Sequence, residues 1–212
     1  MKKYYPIMVD LTGKNCTVVG GGKVAERKVI SLLAYGPKVK IVSPVLTNSL
    51  KALVTEKQIL WVPRQYQRGD LENSYLVYVA TNDPEVNRLC YEEAQQWKIP
   101  INVVDTPHLC DFIVPASLQR GDLSIMVSTN GKSPMLSRKI REELEKLYGE
   151  DYTEFVRLLG ELREKVLDEV EDAQKRREIF EAVVYGDLLK QDPIEYKQDL
   201  REKIESIYKS MC

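Results

Sequence analysis

A glycine-rich turn, Val18-Val19-Gly20-Gly21-Gly22-Lys23-Val24-Ala25, is the feature that most constrains how this chain of 212 residues can fold. It has the form Gly-x-Gly-x-x-Ala, in which Gly20 permits a tight turn, Gly22 permits close approach of a pyrophosphate, and Ala25 permits a helix to pack closely on a strand. The helix that follows would point its positive N-terminal end at a phosphate. The turn therefore predicts a nucleotide-binding connection, although glycine clusters also form ordinary turns.

The residues on both sides of this turn supply the elements that such a site needs. A short β-rich run, Asn15-Cys16-Thr17-Val18-Val19, precedes it. The apolar spacing after it predicts a helix of about fourteen residues that stops at Gly36-Pro37. A second strand, at residues 39–42, then ends at Ser43-Pro44. Strand, turn, helix and strand in this order form the context that the motif requires.

The end of the second predicted strand departs from the usual pattern. An Asp or Glu normally stands there and bonds the hydroxyls of the adenosine ribose, whereas this chain has Ser43 followed by Pro44. No basic cluster that would favour a 2′-phosphate accompanies them. We therefore predict NAD rather than NADP as the cofactor, with Ser43 forming one bond to a ribose.

Composition and charge exclude several classes of protein. The net charge of −1 argues against a general nucleic-acid binder, which normally carries a strong basic excess. No segment has the long uncharged apolar run of a signal peptide or a membrane span, so we expect a cytoplasmic protein with no membrane partner. Cys16, Cys90, Cys110 and Cys212 show no C-x-x-C spacing, which argues against a zinc site or a disulfide framework. Cys16, in a predicted buried strand, is interpreted as a small apolar filler.

Charge density separates a strand-rich first part from a helical second part. Residues 138–212 carry 35 charged side chains, whereas the longer stretch of residues 1–137 carries 28. A helix is predicted from Pro84, with Asp83 as its N-cap, to about Trp97. Further strands in the first part are predicted at residues 60–63, 75–80, 101–104 and 123–128.

Apolar stripes at helical spacing fill the second part. Ser133 and Pro134 form an N-cap followed by proline, as at Asp83 and Pro84. The stripes consist of Leu136, Ile140, Leu144 and Leu147; of Phe155, Leu158, Leu159, Leu162 and Val166; of Phe180, Val183, Val184 and Leu188; and, in a last helix beginning at Asp192-Pro193, of Leu200, Ile204 and Ile207. Their extent is equally consistent with a partner subunit and with packing of the stripes on one another.

The fold class that these elements predict is α/β. A doubly wound, mainly parallel, Rossmann-like sheet is followed by a helical region for dimerisation and substrate binding. We predict an NAD-binding domain over residues 1–115, a central dimerisation region over residues 116–148 and a C-terminal helical domain over residues 149–212.

Ligands of open α/β sheets bind beyond the carboxyl ends of the strands, where three predicted segments fall. They are residues 20–25, 80–83 and 104–108. In the third, Asp105 directly follows a buried apolar strand, which favours a chemical role, although Asp105-Thr106-Pro107 could also be an Asx turn. His108, the only histidine, is a candidate proton shuttle or an ordinary loop residue, and with Asp105 and Asp111 it could form a weak open site.

A polar turn at residues 128–134 leads into a helix whose first turns carry Arg138, Lys139 and Arg141. Free N–H groups, a positive dipole end and three cations would suit an anionic ligand. The alternative is a capped surface helix in which Arg138 and Arg141 pair with neighbouring glutamates. The residues alone favour neither interpretation.

Taken together, these segments resemble the precorrin-2 dehydrogenase and sirohydrochlorin ferrochelatase family of sirohaem biosynthesis. The resemblance spans the chain and lies in Tyr5-Pro6-Ile7 with Asp10-Leu11, Val18-Val19-Gly20-Gly21-Gly22-Lys23-Val24-Ala25, Ala80-Thr81-Asn82-Asp83, Asn102-Val103-Val104-Asp105, Asp111-Phe112-Ile113-Val114-Pro115-Ala116 and Ser128-Thr129-Asn130-Gly131-Lys132-Ser133-Pro134. Six motifs in the right order are far more specific than one glycine turn.

The resemblance implies oxidation of precorrin-2 to sirohydrochlorin with NAD as hydride acceptor, in a homodimer and in a form without the methyltransferase domain that some relatives carry. The aspartate ending the Asn-Val-Val-Asp strand is implicated in catalysis in the family, and here it is Asp105. Some relatives also insert iron, and the sequence leaves open whether this chain inserts iron or cobalt and whether its product feeds sirohaem, cobalamin or haem biosynthesis. A different class of function, an NAD-sensing regulatory domain without catalysis, would explain the glycine turn but not Asp105.

The expected site residues fall into two further groups. The dinucleotide is expected to contact Gly20, Gly21, Gly22, Lys23, Val24, Ala25, Ser43, Pro44, Thr81 and Asn82. The many carboxylates of the tetrapyrrole are expected to contact His108, Thr129, Lys132, Ser133, Arg138 and Arg141. No metal ligand is expected.

Overall fold

The computed structural model describes residues 3–186, 188–189 and 196–212, and side chains in the last of these ranges from residue 200 onward. The chain forms two compact units, Met1–Val114 and Pro115–Cys212. The predicted boundary at residues 148/149 falls inside the second unit and stays a prediction.

A five-stranded parallel sheet forms the centre of the first unit. Its strands are β1 (Asn15–Val19), β2 (Lys38–Val42), β3 (Ile59–Val62), β4 (Leu76–Val79) and β5 (Ile101–Val103). They lie in the order β3-β2-β1-β4-β5, and every neighbouring pair is parallel. The strand order reverses beside β1, so the doubly wound, Rossmann-like arrangement predicted from the glycine turn is confirmed.

Three helices cover the two faces of this sheet. They are α1 (Lys23–Leu33), α2 (Asn48–Thr55) and α3 (Pro84–Trp97). Ala25 and Val29 of α1 pack with Leu50 of α2 on one face, whereas Cys90 and Ala94 of α3 pack on the other. Because both faces are covered, most residues of the strands are apolar.

Local capping chemistry accounts for how well each helix is predicted. The prediction for α3 is confirmed at both ends, since the Asp83 carboxylate accepts hydrogen bonds from the N–H groups of Glu85 and Val86. The helix α1 ends at Leu33, earlier than its apolar spacing suggests. The short helix α2 is not predicted from the sequence, although Thr47 caps it.

The second unit begins with an antiparallel pair of strands, β6 (Ala116–Arg120) and β7 (Leu123–Val127), joined through Gly121 at a φ of +54°. The strand predicted at residues 123–128 is β7. It pairs with β6, which is not predicted because its sequence Ala-Ser-Leu-Gln-Arg has one large apolar residue, Leu118. The helix α4 (Pro134–Leu147) contacts both strands.

Three further helices complete the second unit: α5 (Asp151–Glu169), α6 (Ala173–Val184) and α7 (Tyr196–Met211). The predicted start of the last helix at Asp192-Pro193 lies outside the described residues. Of the helices that the structure describes, none combines the length and the apolar character needed to cross a bilayer.

The apolar stripes of α5, α6 and α7 pack on one another. The buried cluster consists of Phe155, Leu158, Leu162, Val166, Ile179, Val183, Leu200, Ile204 and Tyr208. The three helices therefore bury their apolar stripes largely against one another. This outcome agrees with the interpretation that the stripes pack on one another. In α4, by contrast, Met135, Leu136 and Leu147 are exposed.

The neighbouring residues Val183 and Val184 of α6 provide a matched test of this packing. Val183 is 0% exposed and Val184 is 49% exposed, although both belong to the predicted stripe. We expect Val183→Ala to lower the free energy of unfolding by about 2 kcal/mol, because it removes buried methyl groups and leaves a cavity. Val184→Ala should change it by less than about 0.5 kcal/mol. Urea unfolding followed by circular dichroism measures both, and equal losses would contradict the buried cluster.

Candidate dinucleotide site

The turn between β1 and α1 passes so close to neighbouring backbone that no side chain fits. Gly20 has a φ of +113°, and a Cβ there would overlap the carbonyl oxygen of Ala80. A Cβ on Gly21 would overlap the carbonyl oxygen of Val45 and lie 2.7 Å from Ser43 Oγ. The tight-turn role predicted for Gly20 is therefore matched by the local geometry.

The third glycine and the start of α1 are arranged differently. Gly22 is the N-cap residue of α1, no side chain caps the helix, and a Cβ on Gly22 would meet nothing within 4 Å. The first N–H groups of α1 therefore point toward open space rather than toward a side-chain oxygen, which suits an anionic ligand. Ala25 is fully buried against the sheet, so it permits close packing and does not face the ligand.

A cavity of about 430 Å³ lies beyond the carboxyl ends of the strands. Its walls come from the ends of β1, β2 and β4 and the loop after β3, and consist of Val19, Gly20, Gly21, Gly22, Lys23, Val24, Val42, Ser43, Pro44, Gln65, Tyr66, Ala80, Thr81, Asn82, Asp83 and Val86. All the predicted dinucleotide contacts except Ala25 lie on these walls. The volume is within the range of known ligand pockets.

Ser43, at the position of the usual acidic residue, is almost fully buried. Its Oγ donates to the carbonyl oxygen of Val45 at 2.8 Å, and its own carbonyl oxygen accepts from Trp61 Nε1 at 2.8 Å. The hydroxyl hydrogen is thus already used, so Ser43 Oγ can act toward a ligand only as a hydrogen-bond acceptor.

The cavity wall also includes Gln65 and Tyr66, which are not among the predicted contacts. They lie in the loop that follows β3, where no glycine, cap or periodic pattern marks them. Tyr66 also packs on the apolar cluster of the α3 face, so its ring lies between the core and the cavity. The sequence signal that could have identified Gln65 and Tyr66 is their position just after a predicted strand, where ligands of α/β sheets bind.

Asp105 stands in the turn that ends β5, with an exposed side chain and a φ of +58°. Aspartate adopts this left-handed conformation at less cost than most residues. The N–H of Val104 donates to Val79 O at 2.9 Å, which keeps the turn beside the end of β4. Asp105 therefore lies at the same sheet edge as the Thr81 and Asn82 wall of the cavity.

Lys28 of α1, which was not predicted, interacts electrostatically with this aspartate. Its ammonium is 5.2 Å from the centroid of the Tyr78 ring, on the face of the sheet that α1 covers. Burial lowers the pKa of Lys28 and the Arg27 guanidinium adds to this effect, while the carboxylate of Asp105 opposes it. A cation and a carboxylate thus lie on one side of the strand ends.

The residues after Asp105 do not form a metal site. His108 is exposed in a short 3-10 helix, Pro107–Leu109. The carboxylate of Asp111 accepts from Gln95 Nε2 at 3.0 Å and from the N–H of Ile101 at 3.3 Å, and the buried thiol of Cys110 donates to Val103 O. Within the described ranges, no three His, Cys, Asp or Glu side chains are grouped to hold a metal ion, so the weak open site is wrong.

The polar turn of the second unit is a capping structure. Ser133 Oγ accepts from the N–H of Leu136 at 3.2 Å, and Thr129 Oγ1 accepts from the N–H of Ser133 at 2.9 Å. The predicted N-cap is therefore confirmed. Lys132 is exposed in the same turn.

The basic residues of α4 pair with glutamates one turn further along the helix. Arg138 lies 2.8 Å from Glu142, Lys139 lies 3.7 Å from Glu143, and Arg141 pairs with Glu145. These pairs match the alternative of an ion-paired surface helix.

Matches to known families were found over both units. The family described as "Putative NAD(P)-binding" matches residues 7–116, and the one described as "Sirohaem biosynthesis protein central" matches residues 120–147. The first covers the sheet with its glycine turn and Asp105, and the second covers β7 and α4.

Similar proteins agree with these families. The chain is 39% identical to a sirohaem synthase of Methylobacillus flagellatus over 85% of its own length and 39% of that protein's, and 33% identical to a sirohaem synthase of Neisseria meningitidis over 97% and 44%. It thus spans less than half the length of these relatives. It is also similar to the solved structure of SirC, a precorrin-2 dehydrogenase, with a TM-score of 0.78 and 27% identity over 96% of this chain and 100% of that one. The chain therefore belongs to the NAD(P)-binding family that matches its first unit, and its second unit carries the match to the sirohaem biosynthesis central family.

Proposed function

We propose that this chain oxidises precorrin-2 to sirohydrochlorin, with NAD as hydride acceptor, in sirohaem biosynthesis. The observation that carries the proposal is the position of Asp105 at the sheet edge that also holds the glycine turn and the cavity. The similarity to SirC over the whole of that protein supports the same substrate.

The oxidation removes two hydrogens from the macrocycle, one as a hydride and one as a proton. NAD, when bound, supplies the hydride acceptor. Asp105 accepts the proton, because its exposed carboxylate stands beyond the end of β5, next to the strand end that lines the cavity. The positive charge of Lys28 acts on this carboxylate and would attract an acidic substrate.

We infer NAD rather than NADP from the charges around the cavity. Ser43 and Pro44 bring no cation to the ribose position. Arg64, next to the cavity residue Gln65, is held by two hydrogen bonds of 2.7 Å to the Asp70 carboxylate. A 2′-phosphate would have to break that bidentate pair to use the guanidinium.

For the substrate carboxylates, the second unit offers fewer groups than the sequence suggests. We propose Lys132 and the capped start of α4 at Thr129 and Ser133, because Lys132 is exposed in a turn that capping holds in place. Arg138 and Arg141 would first have to exchange their glutamate partners. His108 stays a candidate because it is exposed close to Asp105 in the sequence.

We also propose that the chain forms a homodimer through its second unit. The support is that four apolar side chains of this unit are exposed, Met126 of β7 and Met135, Leu136 and Leu147 of α4. Burial of such side chains by a second copy would be favourable.

Turnover of precorrin-2 tests the proposed reaction directly. With purified protein, precorrin-2 and NAD, we expect reduced cofactor and sirohydrochlorin to appear together, and we expect NADP to support less than about a tenth of that kcat/KM. Binding of NAD without turnover would instead favour the NAD-sensing domain. A separate reaction with sirohydrochlorin and ferrous or cobaltous ion tests metal insertion.

Substitution of Asp105 tests the proton acceptor. Asp105→Asn keeps a residue that tolerates the left-handed backbone but removes the basic oxygen, so kcat should fall by about 100-fold or more. Asp105→Ala should remove dehydrogenation as well, while the Kd for NAD stays within a few-fold in both variants. A collapse of NAD binding or of folding in Asp105→Asn would mean that the residue is structural.

The two glycines Gly21 and Gly22 separate folding from phosphate binding. Gly22→Ala has space for its Cβ and an ordinary φ of −83°, so it should fold normally and lower NAD affinity by about tenfold or more, because the methyl group keeps the pyrophosphate from the N–H groups. Gly21→Ala should instead lower the free energy of unfolding by about 2 kcal/mol or more. Thermal unfolding and fluorescence titration with NADH measure the two effects. Unchanged NADH affinity in Gly22→Ala would place the pyrophosphate elsewhere.

A further inference from the structure

A carboxylate that the proposed reaction does not use is buried in the middle of α3. Glu93 is 0% exposed, and its two oxygens accept three hydrogen bonds. The donors are the hydroxyl of Tyr66, the N–H of Gly69 at 3.0 Å and the N–H of Leu71 at 3.0 Å. Burying a carboxylate is costly unless such donors satisfy it, so this arrangement needs all three.

All three donors belong to the loop between β3 and β4. The same loop is held a second time by Asp70, whose carboxylate binds Arg64 and accepts from the N–H of Gln67 at 2.8 Å. From the sheet, Lys40 Nζ donates to Asp70 O at 2.6 Å. Glu93 of α3, Lys40 of β2 and Asp70 of the loop thus each form hydrogen bonds that hold a loop without regular structure in place.

The fixed loop supplies one wall of the cavity through Gln65 and Tyr66. The Tyr66 ring is anchored at its hydroxyl by Glu93 and packs on the apolar cluster of α3. Burial, and next the Glu93 carboxylate, raise the pKa of Tyr66, so its hydroxyl stays protonated and donates at neutral pH.

The wall formed by Gln65 and Tyr66 lies on the side of the sheet where the adenosine half of a dinucleotide is expected. The loop follows β3, on the side of the sheet where β2 ends in Ser43 and Pro44. In doubly wound folds the adenosine ribose lies at the end of the second strand, and the reacting half lies toward the strands on the other side of β1. Asp105, after β5, is on that other side.

We propose that Glu93 is a cofactor-positioning residue, which holds Tyr66 and Gln65 as the wall against the adenosine half of the dinucleotide. Aromatic rings give such a wall a large apolar contact area. The inference rests on the proposed dinucleotide cofactor but not on the identity of the oxidised substrate.

The test compares Glu93→Gln with Glu92→Gln, its neighbour on α3. In Glu93→Gln the amide NH₂ would face a hydrogen-bond donor of the loop, whereas Glu92 has a 41% exposed side chain in surface ion pairs with Arg68 and Arg88. Affinity is measured by NADH fluorescence, with ADP-ribose and nicotinamide mononucleotide as competitors. We expect Glu93→Gln to weaken NADH and ADP-ribose binding by about tenfold and nicotinamide mononucleotide binding by less than about twofold, with no change in Glu92→Gln.

Substitutions of Tyr66 keep the inference testable if Glu93→Gln does not fold. Tyr66→Phe retains the ring and loses the hydrogen bond to Glu93, so ADP-ribose affinity should fall by about threefold. Tyr66→Ala loses the ring as well and should lose about tenfold or more. Circular dichroism and thermal unfolding confirm that each variant is folded.

Several results would overturn the inference. They are a folded Glu93→Gln that binds ADP-ribose as tightly as Glu92→Gln, equal losses for ADP-ribose and nicotinamide mononucleotide, and a Tyr66→Ala variant with unchanged ADP-ribose affinity. Wild-type protein that binds neither NADH nor ADP-ribose would overturn it together with the proposed cofactor. Wild-type protein that binds both and does not oxidise precorrin-2 would contradict the proposed reaction alone, and the variants would still decide the role of Glu93.

Discussion

The contact of backbone with backbone at the turn after β1 is the constraint on which the first unit depends. Gly20 lies against the carbonyl of Ala80, and Gly21 lies against the carbonyl of Val45, with no room for a side chain in either place. This contact brings the ends of β1, β2 and β4 together and directs the start of α1 toward the cavity. Because α1 lacks a side-chain cap, its N–H groups stay available there.

The opposite wall of the cavity is held by hydrogen bonds to two carboxylates as well as by packing of Tyr66 on the core. The loop after β3 contributes no strand or helix to the wall, and its shape depends on the carboxylates of Glu93 and Asp70. Each carboxylate is satisfied by donors from the loop itself, so the loop and the buried charges stabilise one another. A rigid wall on a loop is useful where a ligand has to be placed accurately.

The sequence predicts the parts of this site that depend on local chemistry. The N-cap at Asp83, the proline after it and the glycine turn each determine structure within a few residues, and the structure agrees with them. The roles of Glu93 and Tyr66 depend on a contact across 27 residues of sequence, which no local pattern encodes. The pairing of β7 was missed for the same reason, since its partner β6 shows no apolar alternation beyond Leu118. Which residues of an apolar stripe are buried also depends on contacts between residues far apart in the sequence. Val183 and Val184 are equally apolar, and only Val183 is buried.

The strand order places the groups suited to holding a ligand and the groups suited to proton transfer on opposite sides of β1. On one side of β1, the ends of β2 and β3 offer Ser43, Pro44 and the Tyr66 wall, which are groups suited to holding a ligand. On the other side, the turn after β5 offers Asp105, with Lys28 near it, as groups suited to moving a proton and attracting an acidic substrate. If the central turn binds the phosphates, as proposed, a dinucleotide held there has its adenosine on the side of the Tyr66 wall and its reacting half toward the Asp105 carboxylate. The rigid contacts of Gly20 and Gly21 thus set the distance between the holding groups and the reacting groups.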